Sequence, residues 1–286
     1  MKLYSIETGY FKLDGGAMFG VVPKSIWNKI NPADENNLCP WALRCLLIED
    51  GEKLILVDNG IGDKQSEKFF KHYYLHGDDN LNISLAAHGF SSDDITDVFL
   101  THLHFDHCGG SVTKQNDKLI PAFKNAVYWS NEKHWNWAVN PNEREKASFL
   151  KENILPIQEN GQLKFIKDGT QIENALPLQA FTENISVRFV DGHTESMMLP
   201  QINYNGKTIV YMADLLPSQG HIPIPYVMAY DMFPLTTLNE KKSFLKEAEA
   251  NDYILFFEHD PVHECCTLHQ TEKGIRPKEF FKLSDI

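Results

Sequence analysis

The sequence predicts an α/β fold with helices covering the faces of its sheets, and three observations predict it. Short, near-continuous apolar runs recur along the chain, each ends directly before a residue able to bind a metal, and capped or amphipathic segments lie between them. Runs of this kind mark strands buried on both faces. Five fit. Leu54-Ile55-Leu56-Val57 precedes Asp58, and Val98-Phe99-Leu100 precedes His102. Val187 to Val190 precedes Asp191 and His193, Ile209-Val210-Tyr211-Met212 precedes Asp214, and Ile254-Leu255-Phe256-Phe257 precedes Glu258 and His259. The residues at these strand ends are then expected to converge on one edge of the sheets, where loops build a site.

Taken in order, the connecting segments read as follows. Residues 63–74 form a helix, as do 82–88, which Gly89 stops as a C-terminal cap. Asp93 and Asp94 make an acidic turn into the next strand. The stretch 126–129 leads into a helix over 130–139 with Ser130 as N-cap, then one over 141–153 with Asn140 as N-cap and Pro141 in its first turn. With Trp129, Trp135, Trp137 and Phe149, residues 125–180 read as a helical, aromatic-rich insertion, either a lid over a site or a helix pair anchored to the body. A last helix covers 239–250, with Leu238, Phe244 and Leu245 available for burial. No linker breaks the chain, so 1–286 reads as a single domain.

At 286 residues the chain can bury a sizeable core. A net charge of −12 with no compensating basic stretch disfavours a nucleic-acid partner. No segment has the length of apolar sequence that a signal peptide or a bilayer span needs, so a soluble, cytoplasmic protein without a membrane partner is expected. The five cysteines are scattered, as for reduced thiols. His263, Cys265, Cys266 and His269 suggest a zinc site weakly, because neighbouring cysteines on a strand face opposite ways.

Residues 101–110, Thr-His-Leu-His-Phe-Asp-His-Cys-Gly-Gly, say most about chemistry. In an extended segment His102, His104 and Asp106 point one way and Leu103 and Phe105 the other. His107 breaks the alternation and needs a bend, which Gly109 and Gly110 allow. Imidazole nitrogen with carboxylate oxygen suits zinc, and also manganese, iron or cobalt. Four such groups exceed what one ion with an open position needs, which suggests two metals. Cys108 reads as a small buried residue rather than a nucleophile.

The segment His102-Leu103-His104-Phe105-Asp106-His107, with His193, Asp214, His259 and the turn Leu56-Val57-Asp58-Asn59-Gly60, resembles the metallo-β-lactamase superfamily in its dinuclear hydrolase form. The resemblance implies an αββα sandwich of two mixed sheets with helices on both outer faces. It implies that His102, His104 and His193 hold one metal, most plausibly zinc, that Asp106, His107 and His259 hold the other, and that Asp214 bridges them. Asp58 would accept a hydrogen bond from a ligand histidine and fix its tautomer. A hydroxide bridging the metals would be the nucleophile, and Asp106 would pass a proton to the leaving oxygen.

Two further stretches, residues 13–24 and 223–231, resemble the quorum-quenching N-acyl homoserine lactonases, with the methyl parathion hydrolase group close by. The implied substrate is a small lactone or ester, with organophosphate triesters or a broad range of esters as the alternative. The family's catalytic tyrosine, three residues after the bridging aspartate, is Pro217 here, leaving Tyr226 or Tyr230 as substitutes. An apolar tail would meet Met18, Phe19, Val21, Trp27 and Trp135, although each also suits ordinary core packing. Apolar residues near the N-terminus suit a homodimer interface equally well. The acidic charge counts against a superfamily nuclease, and the di-iron oxidoreductases usually carry a carboxylate where this chain has His104.

Overall fold

A computed structural model describes residues 1–172 and 175–286. Two compact units emerge, one of residues 1–10 and 43–167 and the other of residues 11–42 and 168–286. The first holds a six-stranded sheet in the order β1 (Lys2–Asp14), β2 (Leu38–Asp50), β3 (Lys53–Val57), β4 (Asp97–Phe99), β7 (Val127–Asn131), β8 (Leu163–Ile166). The intervening β5 (Val112–Gln115) and β6 (Lys118–Pro121) form a separate hairpin. Its two-residue turn, Asn116-Asp117, has positive φ at both positions, which matches the twist of the flanking strands.

In the six-stranded sheet β2 and β3 are antiparallel, whereas β3, β4, β7 and β8 run parallel. Parallel neighbours need long crossovers. Residues 101–110 lie in the crossover that leaves the C-terminal end of β4. The four residues Leu54 to Val57 of β3 and all three of β4 are buried, as expected for strands covered on both faces. Leu56, Val98, Leu100, Leu103, Phe123 and Ile154 belong to one buried cluster. At about 1.5–3 kcal/mol per fully buried large apolar side chain, this cluster anchors the start of the crossover.

The helices depart from expectation in instructive ways. Two short ones, α1 (Gly15–Phe19) and α2 (Lys24–Trp27), lie between β1 and β2. The helix expected over 63–74 shrinks to α3 (Glu67–Phe70), capped by Ser66. The side chains of Lys64 and Gln65 instead reach back to Gly109 O and Asn153, which holds the preceding residues out of helical form. The next, α4 (Leu81–Ala87), is capped by Asn80 and stops before Gly89, whose φ is +84°. In 125–180, expected to be helical, four strands appear beside the helices. Ser130 lies inside β7, whose last residue, Asn131, caps α6 (Glu132–Val139), the helix that follows the metal-motif turn α5 (Phe105–Cys108). Asn140 closes α6 rather than opening the next helix. Asn142 Oδ1 accepts from the amides of Arg144 and Glu145, a local turn that competes with helix, so α7 waits until Lys151–Glu159.

The second unit holds an eight-stranded sheet, in the order β16 (Gly274–Phe281), β15 (Cys265–Thr271), β14 (Ile254–Phe256), β13 (Lys207–Tyr211), β12 (Met197–Tyr204), β11 (Ile185–Val190), β10 (Ala175–Ala180), β9 (Thr170–Ile172). Only β13 and β14 pair in parallel; the crossover between them contains α8 (Pro234–Ala250). That helix starts five residues before the expected 239, because Pro234 occupies its first position, where the missing N–H costs nothing. Buried Arg188 of β11 clamps it. The guanidinium donates to both oxygens of Glu247, at 2.9 and 2.5 Å, and to Gln201 Oε1 at 2.6 Å.

All five cysteines are buried and free, consistent with reduced thiols. His263 stacks on Phe280 at 3.8 Å, and Cys265 and Cys266 pair across β15 and β16 with Phe281 and Phe280. Among the described residues no helix is long and apolar enough to cross a membrane.

Breaking a buried bidentate pair strands the remaining charge, so Arg188→Ala is expected to destabilise by about 3 kcal/mol. Urea unfolding checks this, with Arg188→Lys, which cannot grip both oxygens, falling in between.

Candidate metal centre

In the first unit the chain leaves β4, stays extended through His104, and turns helical at Phe105. Asp106 therefore sits with His107 on the helical turn α5, not on one alternating face with His102 and His104 as strand geometry had suggested. The bend precedes the glycines, and neither Gly109 nor Gly110 has positive φ. They are small for another reason: a Cβ on Gly109 would strike the Ile61 carbonyl, and one on Gly110 the Asn59 carbonyl. Backbone lies on backbone there.

His102 Nε2 and His104 Nδ1 stand 3.1 Å apart. The hydrogen bonds on their other nitrogens fix the protons. Asp58 accepts three: from the Thr101 amide at 2.8 Å, the Thr101 hydroxyl at 2.7 Å and His107 Nδ1 at 3.1 Å. With its hydrogen given to Asp58, the Thr101 hydroxyl is left to accept from His102 Nδ1 at 3.1 Å. His104 Nε2 donates to Glu145 at 3.0 Å. So His102 and His107 keep a lone pair on Nε2, and His104 keeps one on Nδ1. Asp106, also buried, has its Oδ2 4.0 Å from His107 Nε2.

The second unit repeats the pattern. His193 Nδ1 donates to Asp231 at 2.8 Å and His259 Nδ1 to the Ala42 carbonyl at 2.8 Å, leaving both Nε2 atoms as acceptors. Each faces a different oxygen of one carboxylate: Asp214 Oδ2 lies 3.1 Å from His193 Nε2, and Oδ1 3.3 Å from His259 Nε2. Acceptor lone pairs at such distances repel unless a cation lies between them. A 3.1 Å separation is close to the edge of a tetrahedron with metal–nitrogen bonds of about 2.0–2.1 Å. Burial opposes a charge on the His193 imidazole, but Asp214 and Asp231 outweigh burial and push it up to about 10, so these carboxylates favour positive charge beside them. The donor set fits divalent metals, with each imidazole oriented by an outer partner.

A family model described as the metallo-beta-lactamase superfamily matches residues 42–259. The chain belongs to the metallo-β-lactamase superfamily. It shares that superfamily's fold, mixed α/β with sheets and helices. An N-acyl homoserine lactonase of Bacillus cereus is 29% identical over 276 residues, which cover 92% of this chain and 94% of that one. A probable metal-dependent hydrolase from Staphylococcus aureus superposes with a TM-score of 0.87 at 26% identity, covering 98% and 96% of the two chains. AidC, described as a dizinc quorum-quenching lactonase, superposes at 0.76 with 23% identity, over 98% and 95%.

For this metallo-β-lactamase superfamily member, the other predicted site residues fall in distinct places. Met18, Phe19 and Trp27 are buried in the second unit, where the Phe19 ring lies near-parallel to Trp27 at 5.3 Å and to His221 at 4.7 Å. Val21 is 91% exposed. Trp135 lies in the hydrophobic core cluster of the first unit, so the packing role accounts for it. Trp129 likewise anchors to Asp97, while Trp137 donates to Glu145, and Phe149 lies 4.8 Å from His104. Tyr226 turns its ring edge-on to Phe19 at 6.3 Å, and Tyr230 is 39% exposed. Pro217 offers its carbonyl to the His259 amide at 3.1 Å. Burial pushes the Cys108 thiol up to about 12, far from a nucleophilic thiolate. Sequence reasoning missed Thr101, Glu145 and Asp231 as orienting partners. Glu145 stands among charged residues of a turn with no local mark of its role.

Losing an outer partner of this kind typically costs 10–100-fold in metal affinity. Glu145→Gln is expected to do so in a zinc titration against a competing chelator, whereas exposed Glu143→Gln leaves the affinity unchanged. A second prediction concerns acid. Burial pulls His221 down to about 3 from 6.5. Its Nε2 lies 2.9 Å from the Met18 carbonyl and its Nδ1 2.9 Å from the Ser218 hydroxyl, a pairing that a neutral ring satisfies. The unfolded chain binds the extra proton between those pH values. Stability is therefore intact above about pH 6.5 and falls towards pH 3, by up to about 1.4 kcal/mol per pH unit. Urea midpoints of His221→Gln measured from pH 7 to 4 should fall less steeply than those of the parent.

Proposed function

We propose that this protein is a dinuclear metal-dependent hydrolase that opens the ester ring of N-acyl homoserine lactones or similar small lactones, with quorum quenching as the outcome. The carrying observation is that five histidines have their tautomers fixed from outside, while the two oxygens of Asp214 face two different imidazoles. In this reading His102, His104 and His193 hold one ion, Asp106, His107 and His259 the other, and Asp214 bridges. Zinc suits the donors, and manganese, iron or cobalt would also serve. The lactone substrate is supported by the lactonase named among the relatives and by the fold shared with AidC.

Bound divalent ions would polarise the ester carbonyl and lower the pKa of water at the site. The residues supply the rest. Asp58, Glu145 and Asp231 keep the protons on the outer nitrogens, so the inner lone pairs stay available. Asp106 moves a proton to the departing ring oxygen. Tyr226, packed against Phe19, is the better candidate of the two tyrosines for contacting substrate, because Tyr230 is more exposed. Phe19, Met18 and Trp27, themselves buried, back the apolar side that an acyl tail would meet. A small soluble substrate agrees with the net charge of −12, which repels polyanions.

Catalytic efficiencies on homoserine lactones of several chain lengths, set beside an aryl phosphotriester and a simple aryl ester, test the substrate class. The lactones are expected to lead by at least about tenfold; a strong preference for the phosphotriester would overturn the lactonase reading in favour of an organophosphate triesterase. About two ions per chain should be found by elemental analysis, chelation should abolish turnover, and re-addition of zinc should restore it. Asp214→Ala is expected to lower kcat by about a thousandfold or more.

A further inference from the structure

Lys241 is almost fully buried, at 1% exposure, yet among the described residues it makes no ion pair that would explain its place in the helix. Its ammonium points at three main-chain carbonyls, Tyr226 O at 2.7 Å, Pro223 O at 3.2 Å and Ile224 O at 3.3 Å. An ammonium has three N–H donors, and here each has one acceptor. The reason lies in the sequence Pro223-Ile224-Pro225-Tyr226. Two prolines deprive the segment of the donors and the regularity needed to join a sheet, so the Ile224 and Tyr226 carbonyls turn to the lysine, which also shares the Pro223 carbonyl with the Tyr226 amide. One lysine does what a neighbouring strand would otherwise do.

The segment so held carries Tyr226, whose ring meets Phe19. Beyond it, the Ala229 amide donates to the Ala17 carbonyl at 2.8 Å, and a Cβ on Gly20 would strike the Val227 carbonyl. The adjacent helix residue, Glu240, reaches a different loop: its two oxygens accept from the amides of Asp191 at 2.7 Å and Gly192 at 3.1 Å, just before His193. Two consecutive residues of α8 thus serve two functions. Glu240 fixes the loop bearing a metal-binding histidine, and Lys241 fixes the loop bearing the substrate-side aromatic wall.

We propose that Lys241 is a positioning residue for substrate recognition, holding residues 223–226 so that Tyr226, backed by the buried Phe19, presents one preformed wall to the acyl tail. The assignment of that wall to the substrate rests on the lactonase reading; the tethering does not. Lys241→Met keeps length and apolar bulk but removes the donors, and Glu240→Gln weakens the neighbouring anchor. Hydrogen exchange at the amides of Tyr226, Val227 and Ala229 should quicken at least tenfold in Lys241→Met, while the amides in the middle of α8 keep their protection. In steady-state assays with a long-chain acyl homoserine lactone, the same variant should raise KM at least fivefold with kcat and zinc affinity within twofold of the parent. Glu240→Gln should show the converse, a loss of zinc affinity with KM little changed. If the two variants move KM and zinc affinity together, or if exchange at 226–229 is unaltered by Lys241→Met, the proposal is overturned. If exchange quickens but the substrate that responds in KM is an aryl ester or phosphotriester, the positioning role stands and the lactone reading falls.

Discussion

Two imidazole nitrogens 3.1 Å apart, neither bearing a proton, repel each other, and much of the local structure serves to keep His102 and His104 in that relation. The force that holds them is not exerted at the centre. It comes from hydrogen bonds on the far side of each ring, where Thr101 and Glu145 take the protons. Asp58 extends the principle, since one buried carboxylate accepts from the Thr101 backbone, the Thr101 hydroxyl and His107, and so links the end of β3 to the residues after β4. In the second unit Asp231 and the Ala42 carbonyl do the same for His193 and His259. A divalent ion bound there would relieve a repulsion that the fold has already built.

Building it requires rigid strand ends. The parallel pairing of β3, β4 and β7 places the turn after Val57 beside the segment after Phe99, and the antiparallel and parallel pairs of the second sheet place the residues after Val190, Tyr211 and Phe256. These strands were legible from the sequence, because continuous β-branched and aromatic runs have few other uses in a chain of this composition. The candidate metal-binding side chains could be named for the same reason, since each stands shortly after the end of such a run.

The helices and the supporting partners were much less legible. Ser130 and Asn131 are both competent caps, and only the last pairing of β7 with β8 decides between them. Asn142 can start a helix or fold a turn over its own amides, and local sequence does not choose. Glu145 and Asp231 become meaningful only when a histidine about 40 residues away in sequence is brought to them, a relation that no periodicity records. The aromatic stretch was ambiguous in a similar way, for Trp135 and Phe149 both join the core, yet Phe149 also lies against His104.

The contact of Gly109 and Gly110 with the carbonyls of Ile61 and Asn59 has a consequence for how such a protein can change. Main chain touches main chain there, with no side chain between whose size could be adjusted by a point substitution. The spacing of the motif is thereby removed from the reach of gradual mutation. The proline-bearing loop and the N-terminal segment that packs on it differ in part, for beside their main-chain contacts the Phe19 and Tyr226 side chains meet there, and single replacements of such rings have graded effects.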